Sequence, residues 1–88
     1  MPTLSTFFGI IISMYREVGA KHKTPHFHAE YQNDEVVIDF DGNVLEGSIP
    51  GKKLKLVLAW VEIHQEDLRA NWKLLEAGRE HFKIDPLR

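Results

Sequence analysis

From His26 to Ile49 the chain alternates polar and apolar residues with a period of two, interrupted twice by turn residues, and this pattern restricts the fold most. Successive side chains of a strand point to opposite faces, so His26, His28 and Glu30 fall on one face and Phe27, Ala29 and Tyr31 on the other. After Asn33 and Asp34 the alternation resumes, with Val36, Ile38 and Phe40 on one side and Glu35, Val37, Asp39 and Asp41 on the other. A two-residue turn at Asn33-Asp34 pairs Tyr31 with Val36, Ala29 with Ile38 and Phe27 with Phe40, placing all the apolar residues together. A one-residue slip would mix the faces. The same device at Gly42-Asn43 pairs Phe40 with Leu45, Ile38 with Gly47 and Val36 with Ile49. Three antiparallel strands follow, apolar on one side and polar on the other.

The flanking segments complete an α+β domain. Thr6 to Tyr15 is rich in β-branched and aromatic residues and reads as one buried strand, and Glu17 to Pro25 reads as a polar loop. The expected sheet is therefore an antiparallel meander of about four strands, in sequence order. Leu54, Val57, Leu58, Val61, Leu68, Trp72 and Leu75 follow helical spacing, with Gly78 where a helix stop belongs. A single helix from Lys52 to Ala77 would be about 40 Å long at 1.5 Å per residue, too long for this sheet. Two solutions stand open: a break near His64 and Gln65, with Glu66 and Asp67 suiting the start of a second helix, or projection of the C-terminal half into a partner. His81 to Leu87 is expected to add a short edge strand that stops at Pro86. One or two C-terminal helices thus cover the apolar face, and residues 1–88 read as a single domain.

Size and charge narrow the function classes. An 88-residue domain holds one core and buries only about two-thirds of its unfolded surface, so a partner or self-association is expected to assist it. There is no cysteine, which removes disulfides, thiolate nucleophiles and cysteine-ligated zinc, and suits a cytoplasmic location. No run approaches the roughly 18 apolar residues of a membrane span. The stretch from Glu30 to Glu46 carries six acids and no Lys or Arg, between small basic clusters, rather than the broad basic face of a nucleic-acid binder. Nucleic acid is therefore not the favoured partner.

The polar sheet face is where chemistry could sit. In the registers above, His28 lies opposite Asp39, Asp39 opposite Glu46, and His26 opposite Asp41. Three readings stand side by side. A charged outer face serves solubility. A His hydrogen-bonded to a carboxylate suits acid/base or RNA-cleaving work, with His26 or His28 transferring the proton and Asp39 orienting the ring. His-x-His-x-Glu presents ligands spaced about 7 Å along one strand, so His26, His28 and Glu30 are the candidate metal ligands, and a metal ion is the one cofactor that enters at all. Arg16, Lys21 and Lys23 are candidate phosphate contacts beside His26. Trp72 and Leu75 are candidate partner contacts, because the second helical segment outruns the sheet. Asn71 reads as a surface or capping group.

Several longer stretches carry a resemblance: Met1-Pro-Thr-Leu-Ser-x-Phe-x-Gly-Ile-Ile-Ile12, Thr24-Pro-His-Phe-His-Ala-Glu-Tyr31, Val44-Leu-Glu-Gly-Ser-Ile-Pro50, Leu58-Ala-Trp-Val-Glu-Ile-His64 and Asn71-Trp72. Together they resemble a family of short bacterial proteins known as domain of unknown function number 4160. The resemblance implies a second small protein encoded nearby as partner, in an arrangement like that of toxin–antitoxin pairs. It also singles out Pro25-His26-Phe27-His28-Ala29 as the family's most recognisable motif. The acidic hairpin face is unlike a typical messenger-RNA-cutting toxin.

Overall fold

The computed structural model describes residues 3–15 and 24–88. Among them five antiparallel strands, β1 (Thr3–Phe7), β2 (Ile10–Ser13), β3 (His26–Tyr31), β4 (Asp34–Asp39) and β5 (Val44–Gly47), precede two helices, α1 (Gly51–Ile63) and α2 (Gln65–Glu76). The strands lie side by side in sequence order, so the α+β meander is as expected, with five strands instead of four. The additional strand comes from the segment read as one strand between Thr6 and Tyr15, which is a hairpin. It turns at Phe8 and Gly9, with φ of 48° and 79°. A bulky residue at positive φ is rare, so the type of Phe8 carries no turn signal. Tertiary contacts hold it there: the Lys53 ammonium on α1 donates to the Phe8 carbonyl at 3.0 Å and sits 4.9 Å from the centre of the Tyr31 ring.

Both later hairpins change the expected partners, and the first of them keeps the expected faces. The β3–β4 turn is at Gln32-Asn33, with Gln32 at φ 55°, so Tyr31 pairs with Asp34, Ala29 with Val36 and Phe27 with Ile38. Moving a turn by one residue moves the pairing by two, and a pattern of period two cannot detect that. The β4–β5 connection departs further, with Val36 opposite Gly47, Val37 opposite Glu46 and Ile38 opposite Val44 across a bulge. Asp39 is the cause. One carboxylate oxygen accepts from the Asp41 and Asn43 amides at 2.9 and 2.8 Å, and the other accepts from the Asn43 side chain at 3.1 Å. An aspartate that binds the backbone two residues on starts the loop early, before Gly42-Asn43 can act as a two-residue turn.

The apolar sheet face and the helices form one core. Ile10, Ile12, Phe27, Ala29, Val36 and Ile38 are fully buried with Val57, Trp60, Val61 and Leu68. The Trp60 ring lies 5.6 Å from Phe7 and 5.9 Å from Phe27, so α1 seats its largest side chain on the sheet centre. The helical stretch breaks at His64, the first of the two solutions above. Instead of projecting, α2 folds back: Leu68 and Asn71 are buried, and the Gln65 side-chain amide donates to the Phe40 carbonyl.

Beyond α2 the expected edge strand does not form. Residues 79–88 have no regular secondary structure, and the Ile84 amide makes a backbone bond to the Leu4 carbonyl on β1 at 2.8 Å. Side chains hold the rest. Asn71, read as a surface or capping residue, is fully buried; its Oδ1 accepts from the Phe82 amide at 2.8 Å and its Nδ2 donates to the Phe82 carbonyl at 3.1 Å. The Trp60 indole donates to the Asp85 carbonyl at 2.8 Å. A side-chain amide offers one donor and one acceptor, which is what one residue of an unpaired backbone requires.

Candidate functional site

The sheet face that alternates with the apolar one carries the Ser13–His28–Val37 row and, beyond it, His26 opposite Asp39. His28 does not face Asp39. Its Nδ1 lies 2.7 Å from Glu35 Oε2, across the diagonal to the neighbouring strand. An ionised carboxylate only accepts, so Nδ1 carries the proton in that bond. The Tyr15 ring stacks on the imidazole at 4.6 Å and 18°. His28 is thus oriented by a carboxylate and gripped by an aromatic face, the arrangement a general base uses. The Glu35 side chain remains open to solvent, at 45 % exposure, so this pair adds little to stability.

His26 is buried, and its Nδ1 donates to the Thr24 carbonyl at 2.6 Å. Its ring lies 5.5 Å from His28 and 5.4 Å from Trp72. Trp72, expected to reach a partner, is partly buried between His26 and Phe40, and Leu75 is likewise packed against the core. The fold-back of α2, which buries Leu68 and Asn71, accounts for both placements. Asp39, expected to orient an imidazole, has both carboxylate oxygens committed to its own loop. Glu30 lies opposite Glu35 and Ile11. Among the described residues no group of three His, Cys, Asp or Glu is placed to hold a metal ion. Arg16, Lys21 and Lys23 lie outside the described residues.

Two residues of this face escaped the sequence reading. Glu35 was on the correct face, but the misplaced turn set it out of reach of His28. Ser13 stands directly opposite His28, buried, and its hydroxyl has no hydrogen-bond partner among the described residues. Its signal is hidden because the run from Thr6 to Tyr15 reads as a single long strand, with no turn to set Ser13 opposite His28.

The two edges of the sheet differ. Along β1 runs the C-terminal segment, held by Ile84, Asn71 and Trp60. Along the outer side of β5 no described residue pairs, and Val44 there is 46 % exposed. β5 is short and bulged, and it carries Glu46. These devices discourage indiscriminate edge pairing. Among the described residues no helix is long and apolar enough to cross a membrane.

The family model described as a domain of unknown function, DUF4160, matches residues 9–73, from the β1–β2 turn into α2. No curated protein and no solved structure matches the chain.

Proposed function

The chain belongs to the DUF4160 family, and we propose that it is the protein-binding member of a two-gene bacterial module of toxin–antitoxin type, acting in the cytoplasm. It takes an extended segment of its neighbour's product along β5. The observation that carries this reading is the asymmetry of the sheet edges, one covered by the chain's own C-terminal segment and the other without a cover among the described residues. An uncovered edge strand presents alternating amides and carbonyls that an added strand can pair, while side-chain contacts set the choice of partner. Val44 supplies an apolar contact at that edge. With Trp72 engaged by His26 and Phe40, β5 takes over the docking role that the helix was expected to fill. Co-expression with the product of the adjacent gene, followed by purification through a tag on this chain, is expected to yield a stoichiometric complex that persists at micromolar concentration. Recovery of two separate proteins would remove the reading.

One observation favours a second reading, a small hydrolase or nuclease: the His28–Glu35 bond. His28 would take the proton from the attacking water or hydroxyl, and Glu35 would hold the tautomer and stabilise the imidazolium. His28→Ala is then expected to abolish phosphodiester cleavage while the chain still unfolds cooperatively, having lost about 1–2 kcal/mol for one hydrogen bond and one ring contact. Equal cleavage by the wild type and the variant rules this reading out.

A further inference from the structure

The site occupied by residues Phe82 to Asp85 is built like a receptor. Asn71 engages both the amide and the carbonyl of Phe82, the two-bond exchange by which one strand residue pairs another. The Leu4 carbonyl takes the Ile84 amide, and the Trp60 indole takes the Asp85 carbonyl. All four bonds go to the segment's backbone. Of its side chains Ile84 is buried, whereas Phe82 is 38 % exposed and Lys83 and Asp85 are exposed. The groove therefore reads a main-chain segment and one apolar anchor. The link to it is slight: α2 ends with Gly78 and Arg79 amides capping Leu75 and Leu74, and residues 76–80 are all exposed.

We infer that the groove between β1, Trp60 and Asn71 is a peptide-binding site, filled in cis by the chain's own C-terminal segment and open to the same segment of a second copy. The occupant follows from identity: a second copy offers the same backbone groups and the same isoleucine, so exchange keeps every contact. Only the effective concentration differs. A short tether holds its segment at about millimolar local concentration, so the cis arrangement dominates in dilute solution. Weakening the cis anchor uncovers the groove for a competitor. The inference stands apart from the β5 proposal, since it concerns the opposite edge of the sheet.

The test uses the full-length chain carrying Ile84→Ala and a fluorescent peptide of residues 79–88 in the wild-type sequence. Saturable binding is expected, together with a rise in the thermal midpoint of the variant. The wild-type chain should bind the peptide at least roughly tenfold more weakly, because its own segment competes. Adding Asn71→Ala to the Ile84→Ala chain should abolish binding. A folded Ile84→Ala chain that neither binds the peptide nor gains stability overturns the inference, as does binding indifferent to Asn71→Ala. Should Ile84→Ala not fold, the milder Ile84→Val carries the same comparison.

Discussion

Asn71→Ala is expected to destabilise the protein by about 2–5 kcal/mol, because it strips a buried amide and donor–acceptor pair from Phe82 at once. A domain of this size has roughly 5–10 kcal/mol in total, so the loss is a large share of its stability. The thermal midpoint should fall by more than about 10 °C, at roughly 4–8 °C per kcal/mol for small domains. Asn71→Leu separates the two contributions. Leucine restores most of the side-chain volume and neither hydrogen bond. If the polar clamp carries the effect, Leu and Ala should be similarly destabilising in chemical denaturation. A leucine variant as stable as the wild type would assign the role of Asn71 to packing.

Gly47→Ala is the second large effect, and it bears on β5. Gly47 has φ 76°, and a Cβ there would come within 2.2 Å of the Glu35 carbonyl oxygen, which also accepts the Ser48 amide at 3.1 Å. The left-handed backbone alone costs alanine about 1–2 kcal/mol. The clash is with backbone, so it is relieved only if β5 moves away from β4. The expected result is a loss of more than about 2 kcal/mol, concentrated at the edge: fast amide exchange over Val44 to Gly47 while the β2–β3–β4 centre stays protected. Gly47→Asn sharpens the test. Asparagine tolerates positive φ, yet its Cβ meets the same oxygen, so it should give little rescue. A β5 in Gly47→Ala with wild-type protection would contradict the close packing at this position.

What the sequence conveyed, and what it did not, follows from the reach of each signal. Alternation assigned the residues of β3 and β4 to their correct faces, because a turn misplaced by one residue shifts the pairing by two and keeps parity, whereas the bulge in β5 sets Val44 opposite Ile38 and breaks it. Partner assignment did not survive, since Gln32 and Phe8 adopt positive φ without being Gly, Asn or Asp. Asp39 was recognised as a polar residue of the outer face, but its carboxylate closes its own loop, a local bond that cross-strand pairing does not reveal. His26 and His28 were identified, but the carboxylate that meets His28 was not, as a two-residue register shift exchanges Asp39 for Glu35. Asn71 and Trp72 fell on the helical stretch as expected. Their roles depend on the break at His64, which folds α2 back so that Asn71 meets Phe82 and Trp72 meets His26. Length alone permits either the break or a projecting helix. Choosing between them required knowing what α2 could cover.

The central claim is that β5 receives the partner, and amide hydrogen exchange of this chain with and without the product of the adjacent gene tests it most directly. The expected result is a complex in which the β5 amides that face away from β4 gain protection, while those at the Asn71-clamped segment around Phe82 keep their original rates. A complex that leaves β5 exchange unchanged, or no complex at micromolar concentration, would contradict it.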